Sequence, residues 1–230
     1  MMSQIVEVVE RYIVPDIPKI ELPAEDGISL ESNWHRVQIN LLVDCVRQHW
    51  RERTGFFAGG NMFIYYSLKQ VRNKEYKGPD FFVVKEVDGA HDRAAWIVWE
   101  EDGRFPNAIV ELLSPSTAEA DFGEKKDLYE RRFKTPEYFC YDPGTRTLYG
   151  WQLERSGYAP ITPDEHGRLP SEQLECSLGL WDGEYEGVGA TWVRLYDAGG
   201  LLLPTGEEYE RRRADAAEAE VARLRAELEK

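Results

Sequence analysis

The stretch that decides the fold is NAIVELLSPSTAEADFGEKKDLY, residues 107–129, where a carboxylate interrupts an apolar run. Residues 108–113 are all apolar except Glu111. A short apolar run bounded by turn residues is typical of a buried β-strand, and a carboxylate buried there without a partner is costly. Residues 116–134 have the pattern of a helix that Ser116 or Thr117 would cap. The stretch therefore predicts a strand that carries an acid, followed directly by a helix.

The segments on either side of this stretch alternate between helical and strand patterns. Residues 31–50 predict an amphipathic helix with Ser32 or Asn33 as its N-cap, because apolar residues recur there at helical spacing. Strand-like runs lie at 59–69, 78–87, 94–102, 137–143, 147–161 and, as two or three short pieces, within 174–196. This order predicts an α/β (α+β) domain built around one mixed sheet.

The two ends of the chain differ from its middle. Residues 1–27 contain three prolines and predict an extended N-terminal arm in front of a domain over residues 28–205. Residues 206–230 are rich in Ala, Glu and Arg and predict a C-terminal helix. Its thin apolar stripe suits a solvated helix or a short coiled coil: Val221, Leu224 and Leu228.

Composition limits the classes of function. The net charge of −14 disfavours tight, nonspecific binding to duplex nucleic acid, whose binders usually carry a basic excess. No apolar run is long enough to cross a bilayer, and the N-terminus lacks the basic region of a secretory signal. Three widely spaced cysteines favour reduced thiols. We therefore expect a cytoplasmic protein without a membrane partner.

The candidate chemistry lies in acidic residues and one lysine pair. The chain has no GxxxxGK[ST], GxGxxG or HExxH motif. Asp80 opens an apolar strand after a Gly-Pro pair, Glu111 lies in another strand, and the helix behind it carries Lys125 and Lys126. Two carboxylates can hold Mg²⁺ or Mn²⁺, which would polarise a phosphoryl oxygen and activate a water, while a lysine stabilises the developing charge.

Structural explanations for the same residues stay open at this point. A Pro-Asp pair at a strand entrance is ordinary turn chemistry. A lone glutamate on an edge strand discourages aggregation. The helical run GEKKDLYERR, residues 123–132, could be a solvated face with ion pairs between neighbouring turns.

Several motifs in order resemble the Uma2 family, a former domain of unknown function (DUF820) in the PD-(D/E)XK nuclease superfamily. The resemblance covers most of the chain, roughly residues 28–205. It is carried by GPDFFVV (78–84), WEED (99–102), NAIVELLSPST (107–117), DFGEK (121–125) and PEYFCYDP (136–143). It implies a restriction-endonuclease-like core, a central mixed sheet flanked by helices in the order α-β-β-β-α-β, here followed by the C-terminal helix.

The resemblance also implies roles for particular residues. Asp80 matches the acid of the "PD" element and Glu111 the acid of the "(D/E)XK" element, and both would bind the metal. The superfamily expects a lysine two residues after Glu111, where this chain has Leu113. In Uma2-like sequences the lysine is displaced to the next helix, and Lys125 matches it, with Lys126 as the fallback.

The function that the resemblance implies is a metal-dependent endonuclease that hydrolyses DNA phosphodiester bonds with Mg²⁺ or Mn²⁺. A homodimer is expected, because many such nucleases cut two strands with paired sites and the C-terminal helix could join subunits. Glu31 is a weaker candidate for a further acid. The alternative is a catalytically silent binding or assembly module, favoured by the acidic composition, the missing lysine at 113 and the tail. A small-molecule acid/base enzyme is supported by the carboxylates alone.

Overall fold

A computed structural model describes residues 32–73 and 78–228 of the chain. The predicted N-terminal arm, residues 1–27, and Glu31 lie outside these residues. The described part has four helical segments and eleven strands. The helical segments are α1 (Asn33–His49), α2 (Leu68–Asn73), α3 (residues 118–133) and α4 (Gly206–Leu228). The strands are β1 (Phe56–Gly59), β2 (Ile64–Tyr65), β3 (Phe81–Lys85), β4 (Trp96–Ile97), β5 (Ala108–Leu112), β6 (Glu137–Asp142), β7 (Thr147–Glu154), β8 (Gly157–Pro160), β9 (Leu169–Ser171), β10 (Cys176–Tyr185) and β11 (Val188–Tyr196).

The centre of the domain is a six-stranded mixed sheet in the order β1-β3-β5-β6-β7-β8. Strands β5 and β6 are parallel, and the other neighbours in this sheet are antiparallel. A parallel pair needs a crossover connection, and α3 supplies it. The order α1, β1, β3, β5, α3, β6 confirms the predicted fold class, a mixed sheet flanked by helices, with a C-terminal helix appended.

Each face of the central sheet is covered by a separate apolar core. In β5, Ala108, Val110 and Leu112 pack with α1 and with the three-stranded sheet formed by β9, β10 and β11. Ile109 faces the other side and packs with α3 and with the short β2–β4 pair. Because side chains alternate along a strand, Glu111 shares the face of Ile109. The predicted acid therefore lies under α3.

The helix caps lie at predicted positions. At α1 the side chain of Ser32 accepts a hydrogen bond from the His35 N–H at 3.3 Å, which confirms Ser32 as the cap. At α3 the N-cap is Thr117, one of the two predicted residues, although its side chain makes no cap bond. Ser114 Oγ instead accepts from the Thr117 N–H at 3.2 Å.

Three of the predicted strands are shorter or divided. The run at 59–69 contains the last residue of β1, then β2 and the start of α2, and the run at 94–102 contains only β4 followed by turns. The run at 147–161 is a hairpin of β7 and β8, in which Gly157 has the positive φ of +120° that the turn requires. The aromatic residues of β7 and β8 extend the central sheet, whereas Trp96 of β4 packs against Phe57 and Phe82.

The C-terminal helix forms as predicted over Gly206–Leu228, and residues 229–230 lie beyond the described part. Within residues 32–73 and 78–228, no helix has the length and apolarity needed to cross a membrane.

One buried side chain ties α1 to the second sheet. Gln38 is fully buried, its Nε2 donates to the Val193 carbonyl at 3.0 Å, and its Oε1 accepts from the Val193 N–H at 2.8 Å. We expect Gln38→Leu to lower the free energy of unfolding by about 2 kcal/mol, because the buried N–H and carbonyl of Val193 both lose their hydrogen-bond partner. Thermal denaturation should then show a melting temperature roughly 4–8 °C lower. Asn40→Leu, at an exposed position of the same helix, serves as the control and should change the melting temperature little. Equal melting temperatures for the two variants would contradict the role of Gln38 in joining α1 to the second sheet.

Candidate active site

The two predicted acids meet where β3 begins and β5 ends. Asp80 immediately precedes β3, which runs antiparallel to β5, and Glu111 is the penultimate residue of β5. The Asp80 N–H donates to Glu111 Oε2 at 3.3 Å, and Asp80 Oδ2 accepts from the Leu112 N–H at 2.7 Å. Asp80 thus extends the pairing of the two strands by one step and places its carboxylate beside that of Glu111.

Lys125 reaches the same point from α3. Its Nζ lies 3.2 Å from Glu111 Oε2 and 2.7 Å from Asp121 Oδ1. The fallback residue, Lys126, is oriented differently, with its Nζ 3.9 Å from the centre of the Trp151 ring. Of the two lysines, Lys125 is therefore the one that the fold brings to the carboxylates.

The backbone of α3 keeps a row of residues facing Glu111. Two π-helical turns, at Asp121–Lys125 and Tyr129–Phe133, alternate with α-helical turns. Four residues of an α-helix overshoot a full rotation by about 40°, and the wider π turn corrects this drift. Asp121, Lys125 and Tyr129 consequently stay on one side of α3. The Tyr129 hydroxyl donates to Glu111 Oε1 at 2.8 Å.

The site buries several ionisable groups. Glu111 is 0% exposed and Asp121 1% exposed. Burial raises the pKa of Glu111 to about 8, although Lys125 opposes the shift. Burial also raises the pKa of Asp80. Burial works to lower the pKa of Lys125, but Glu111 and Asp121 outweigh it and raise that pKa. The Lys125 ammonium therefore stays charged, whereas Glu111 and Asp80 hold their protons more tightly than in water unless a cation replaces them.

The donor set fits a hard divalent cation. Asp80 and Glu111 offer carboxylate oxygens, the ligands that Mg²⁺ prefers, and Mg²⁺ is commonly held by only one or two carboxylates together with waters and substrate phosphates. In the part of the chain that the structure describes, no group of three or more His, Cys, Asp or Glu side chains is arranged to enclose a metal.

Two further residues lie at the site although no role there was predicted for them. His35 is buried in α1, and its Nε2 lies 3.3 Å from the Leu112 carbonyl oxygen. Its position four residues before the buried Ile39 could have indicated that it faces the sheet. Asp121 is the second. It lies four residues before Lys125, and this spacing alone predicts that the two side chains pair on one side of the helix.

An aromatic strip adjoins the site on the same face of the sheet. It consists of Phe122 in α3 and of Tyr149 and Trp151 in β7. The Phe122 ring is 39% exposed and meets the Tyr149 ring edge-on, with 5.2 Å between the centroids. Cys140 pairs with Glu111 on one side and Tyr149 on the other. Because neighbouring strands lie about 5 Å apart, the backbone of Tyr149 is about 10 Å from that of Glu111.

Comparisons with known proteins agree with the sequence resemblance. A family model described as "Uma2: Putative restriction endonuclease" matches residues 6–183. A search of curated proteins found no match. Among solved structures, the chain is similar to the crystal structure of a putative nuclease belonging to DUF820 from Anabaena variabilis ATCC 29413. The two are 10% identical with a TM-score of 0.47, and the match covers 64% of this chain and 76% of that one.

Proposed function

Because the chain belongs to the Uma2 family, as its motifs predicted, we propose that it is a metal-dependent endonuclease that hydrolyses DNA phosphodiester bonds. The observation that supports this most is the contact of Lys125 Nζ with Glu111 Oε2 at 3.2 Å, beside Asp80. Asp80 just before β3, Glu111 on β5 and Lys125 on α3 meet at one point.

In this proposal Asp80 and Glu111 hold Mg²⁺ or Mn²⁺. When bound, such an ion polarises a phosphoryl oxygen and lowers the pKa of a water. Lys125 places its ammonium where negative charge grows on the phosphoryl group and stabilises that charge. Tyr129 donates to one oxygen of Glu111 and leaves the other directed towards Asp80 and Lys125.

The displaced lysine has a structural rationale. Side chains two residues apart on a strand share a face, so Leu113 lies on the same side of the sheet as Glu111. Leu113 is 3% exposed and belongs to the apolar core under α3. Lys125 reaches Glu111 from the helix above this core. An ammonium can therefore serve the site although residue 113 is apolar.

The aromatic strip gives the site a surface for a DNA strand. Bases stack on aromatic rings at a gain of about 1–3 kcal/mol per base. With its backbone about 10 Å from that of Glu111, the strip is close enough for neighbouring nucleotides of one strand to reach both. Stacking does not require a basic surface, which suits a chain of net charge −14. We expect single-stranded or locally unpaired DNA to bind there.

Replacing Phe122 with alanine tests this surface. We expect the KM for single-stranded DNA to rise about tenfold, with little change in kcat, because one stacking contact is lost. Steady-state cleavage of a fluorescent oligonucleotide measures both constants. Leu68→Ala removes a comparably exposed side chain, 38% against 39%, from α2, which carries none of the three candidate residues, and should leave both constants unchanged. An unchanged KM in the Phe122 variant would remove the strip from the proposal.

The proposed activity itself is tested with wild-type protein and three forms of DNA. Supercoiled, linear and single-stranded DNA are incubated with protein and Mg²⁺, Mn²⁺ or EDTA. We expect cleavage with either metal and none with EDTA. No cleavage of any form would favour the second candidate, a catalytically silent assembly module. That candidate draws on the fact that Asp80, Glu111 and Lys125 all pair with groups of the chain itself, as in a structural ion network.

A further inference from the structure

The C-terminal helix presents an apolar stripe to solvent. Along α4 the stripe repeats at intervals of three and four residues, the a and d positions of a coiled coil. The side chains at its larger positions are 47%, 45% and 88% exposed for Val221, Leu224 and Leu228, respectively. Smaller residues continue the stripe towards the domain: Ala217 and Ala214. We propose that α4 pairs with α4 of a second copy of this chain as a parallel, in-register, two-stranded coiled coil.

The base of α4 is fixed to the domain by a different face. Glu208 forms an ion pair with the fully buried Arg194, with 2.7 Å between Oε2 and Nη2. The Tyr209 ring lies under the Arg51 guanidinium at 4.3 Å. Further along α4, Arg212 and Ala216 line the groove between the helix and α1. With about 100° of rotation per residue, this face points about 120° away from the stripe. Docking of α4 on its own domain therefore leaves the stripe uncovered.

The charges beside the stripe select the parallel arrangement. In a parallel pair, each g position faces the e position five residues later on the other helix. With Val221 at a and Leu224 at d, Arg213 then faces Glu218 of the second copy. Glu220 likewise faces Arg225 of the second copy. Both kinds of contact are attractive, and two-fold symmetry doubles each of them.

No antiparallel register matches both the charges and the apolar side chains. There, g faces g and e faces e across the seam. With Val221 opposite Leu224 of the second copy, Glu220 faces Glu227, and like charges across a seam oppose association. With Val221 opposite Ala217, opposite charges do meet, but Leu228 then faces Glu210 and Leu224 faces only Ala214. The parallel pair sets each large apolar residue against its own copy and also pairs opposite charges.

This geometry gives the predicted homodimer a shape. A two-fold axis along the coiled coil relates the copies, and parallel helices place both domains at the same end of the rod. The two carboxylate clusters then belong to one end of the assembly. Alanine at two of the five stripe positions makes the pair weak, and we expect dissociation at micromolar protein concentrations.

The test exchanges charges and uses the full chain. Sedimentation equilibrium over a range of concentrations should give a monomer–dimer equilibrium for wild type. Glu220→Arg and Arg225→Glu, each alone, should raise the dissociation constant on the order of tenfold. The double variant should regain the wild-type value, and a mixture of the two single variants should form a heterodimer. Circular dichroism checks that each variant remains helical.

The outcomes separate this inference from the proposed nuclease activity, on which it does not depend. Rescue in the double variant supports the parallel pair. A wild-type protein that stays monomeric up to its solubility limit overturns it. A dimer with the same dissociation constant in both single variants also overturns it, because the interface then lies elsewhere.

Discussion

Replacing Lys125 with methionine is expected to lower the rate of DNA cleavage by about 10²–10³-fold, because the substitution removes a preorganised positive charge from the reacting phosphoryl group. The unbranched methionine occupies most of the same space. The variant also leaves Glu111 and Asp121 buried without their ammonium, which lies 3.2 and 2.7 Å from their carboxylates. We therefore expect the free energy of unfolding to fall by about 3 kcal/mol.

The measurement is single-turnover cleavage of a labelled duplex or single strand in Mg²⁺, at a temperature where thermal denaturation shows the variant to be folded. Lys69→Met, an exposed substitution on α2, is the control and should cleave as wild type does. Retained cleavage in the Lys125 variant would contradict the assigned role. A loss confined to Lys126→Met would do so too, because Lys126 lies over Trp151 rather than at the carboxylates.

Calcium should raise the melting temperature of the wild-type protein, and Glu111→Gln should abolish the rise. A ligand at one hundred times its dissociation constant stabilises a protein by about 2.7 kcal/mol, which for a chain of this size is roughly 5–11 °C. Glutamine keeps the shape of Glu111 and its contact with Tyr129, but it removes the charge that would attract the cation. Differential scanning calorimetry with and without Ca²⁺ measures the shift.

Glu137→Gln is the matched control for this experiment. Glu137 is also a buried glutamate of the central sheet, 2% exposed, but its Oε1 accepts from the Glu172 N–H at 2.7 Å, away from the candidate site. Without Ca²⁺ this variant should melt at a lower temperature than wild type. Adding Ca²⁺ should still raise its melting temperature as it does for wild type. A shift that persists in Glu111→Gln would place the cation elsewhere, and no shift in wild type would favour the silent module.

The positions of the three candidate residues follow from local sequence patterns. Asp80 and Glu111 stand in short apolar runs bounded by turn residues, which is the pattern of a buried strand, and Lys125 stands in a helix that the chain needs between the parallel strands β5 and β6. Each pattern depends on residues that are close in sequence, so each could be read from the chain. The fold class followed in the same way from the order of helices and strands.

Other features depend on contacts between distant residues. The π turns of α3 hold Asp121, Lys125 and Tyr129 in a row, and helical periodicity alone gives no sign of them. The place of His35 beside Leu112 requires α1 to cross the end of β5. The run at 94–102 has strand-forming residues, yet Trp96 turns into the core against Phe57 and Phe82 instead of extending a long strand. Packing between residues that are distant in the sequence sets the π turns, the position of His35 and the short strand at Trp96.

We propose that Asp80, Glu111 and Lys125 form one metal-dependent site for DNA hydrolysis. The nicking of supercoiled plasmid in Mn²⁺ by the wild-type protein and by Asp80→Asn, purified side by side, tests this proposal. Asp127→Asn, on the exposed side of α3, serves as the control. We expect wild type and the control to convert the plasmid to nicked and linear forms while Asp80→Asn leaves it supercoiled. Equal nicking by Asp80→Asn, or an intact plasmid with all three proteins, would contradict it.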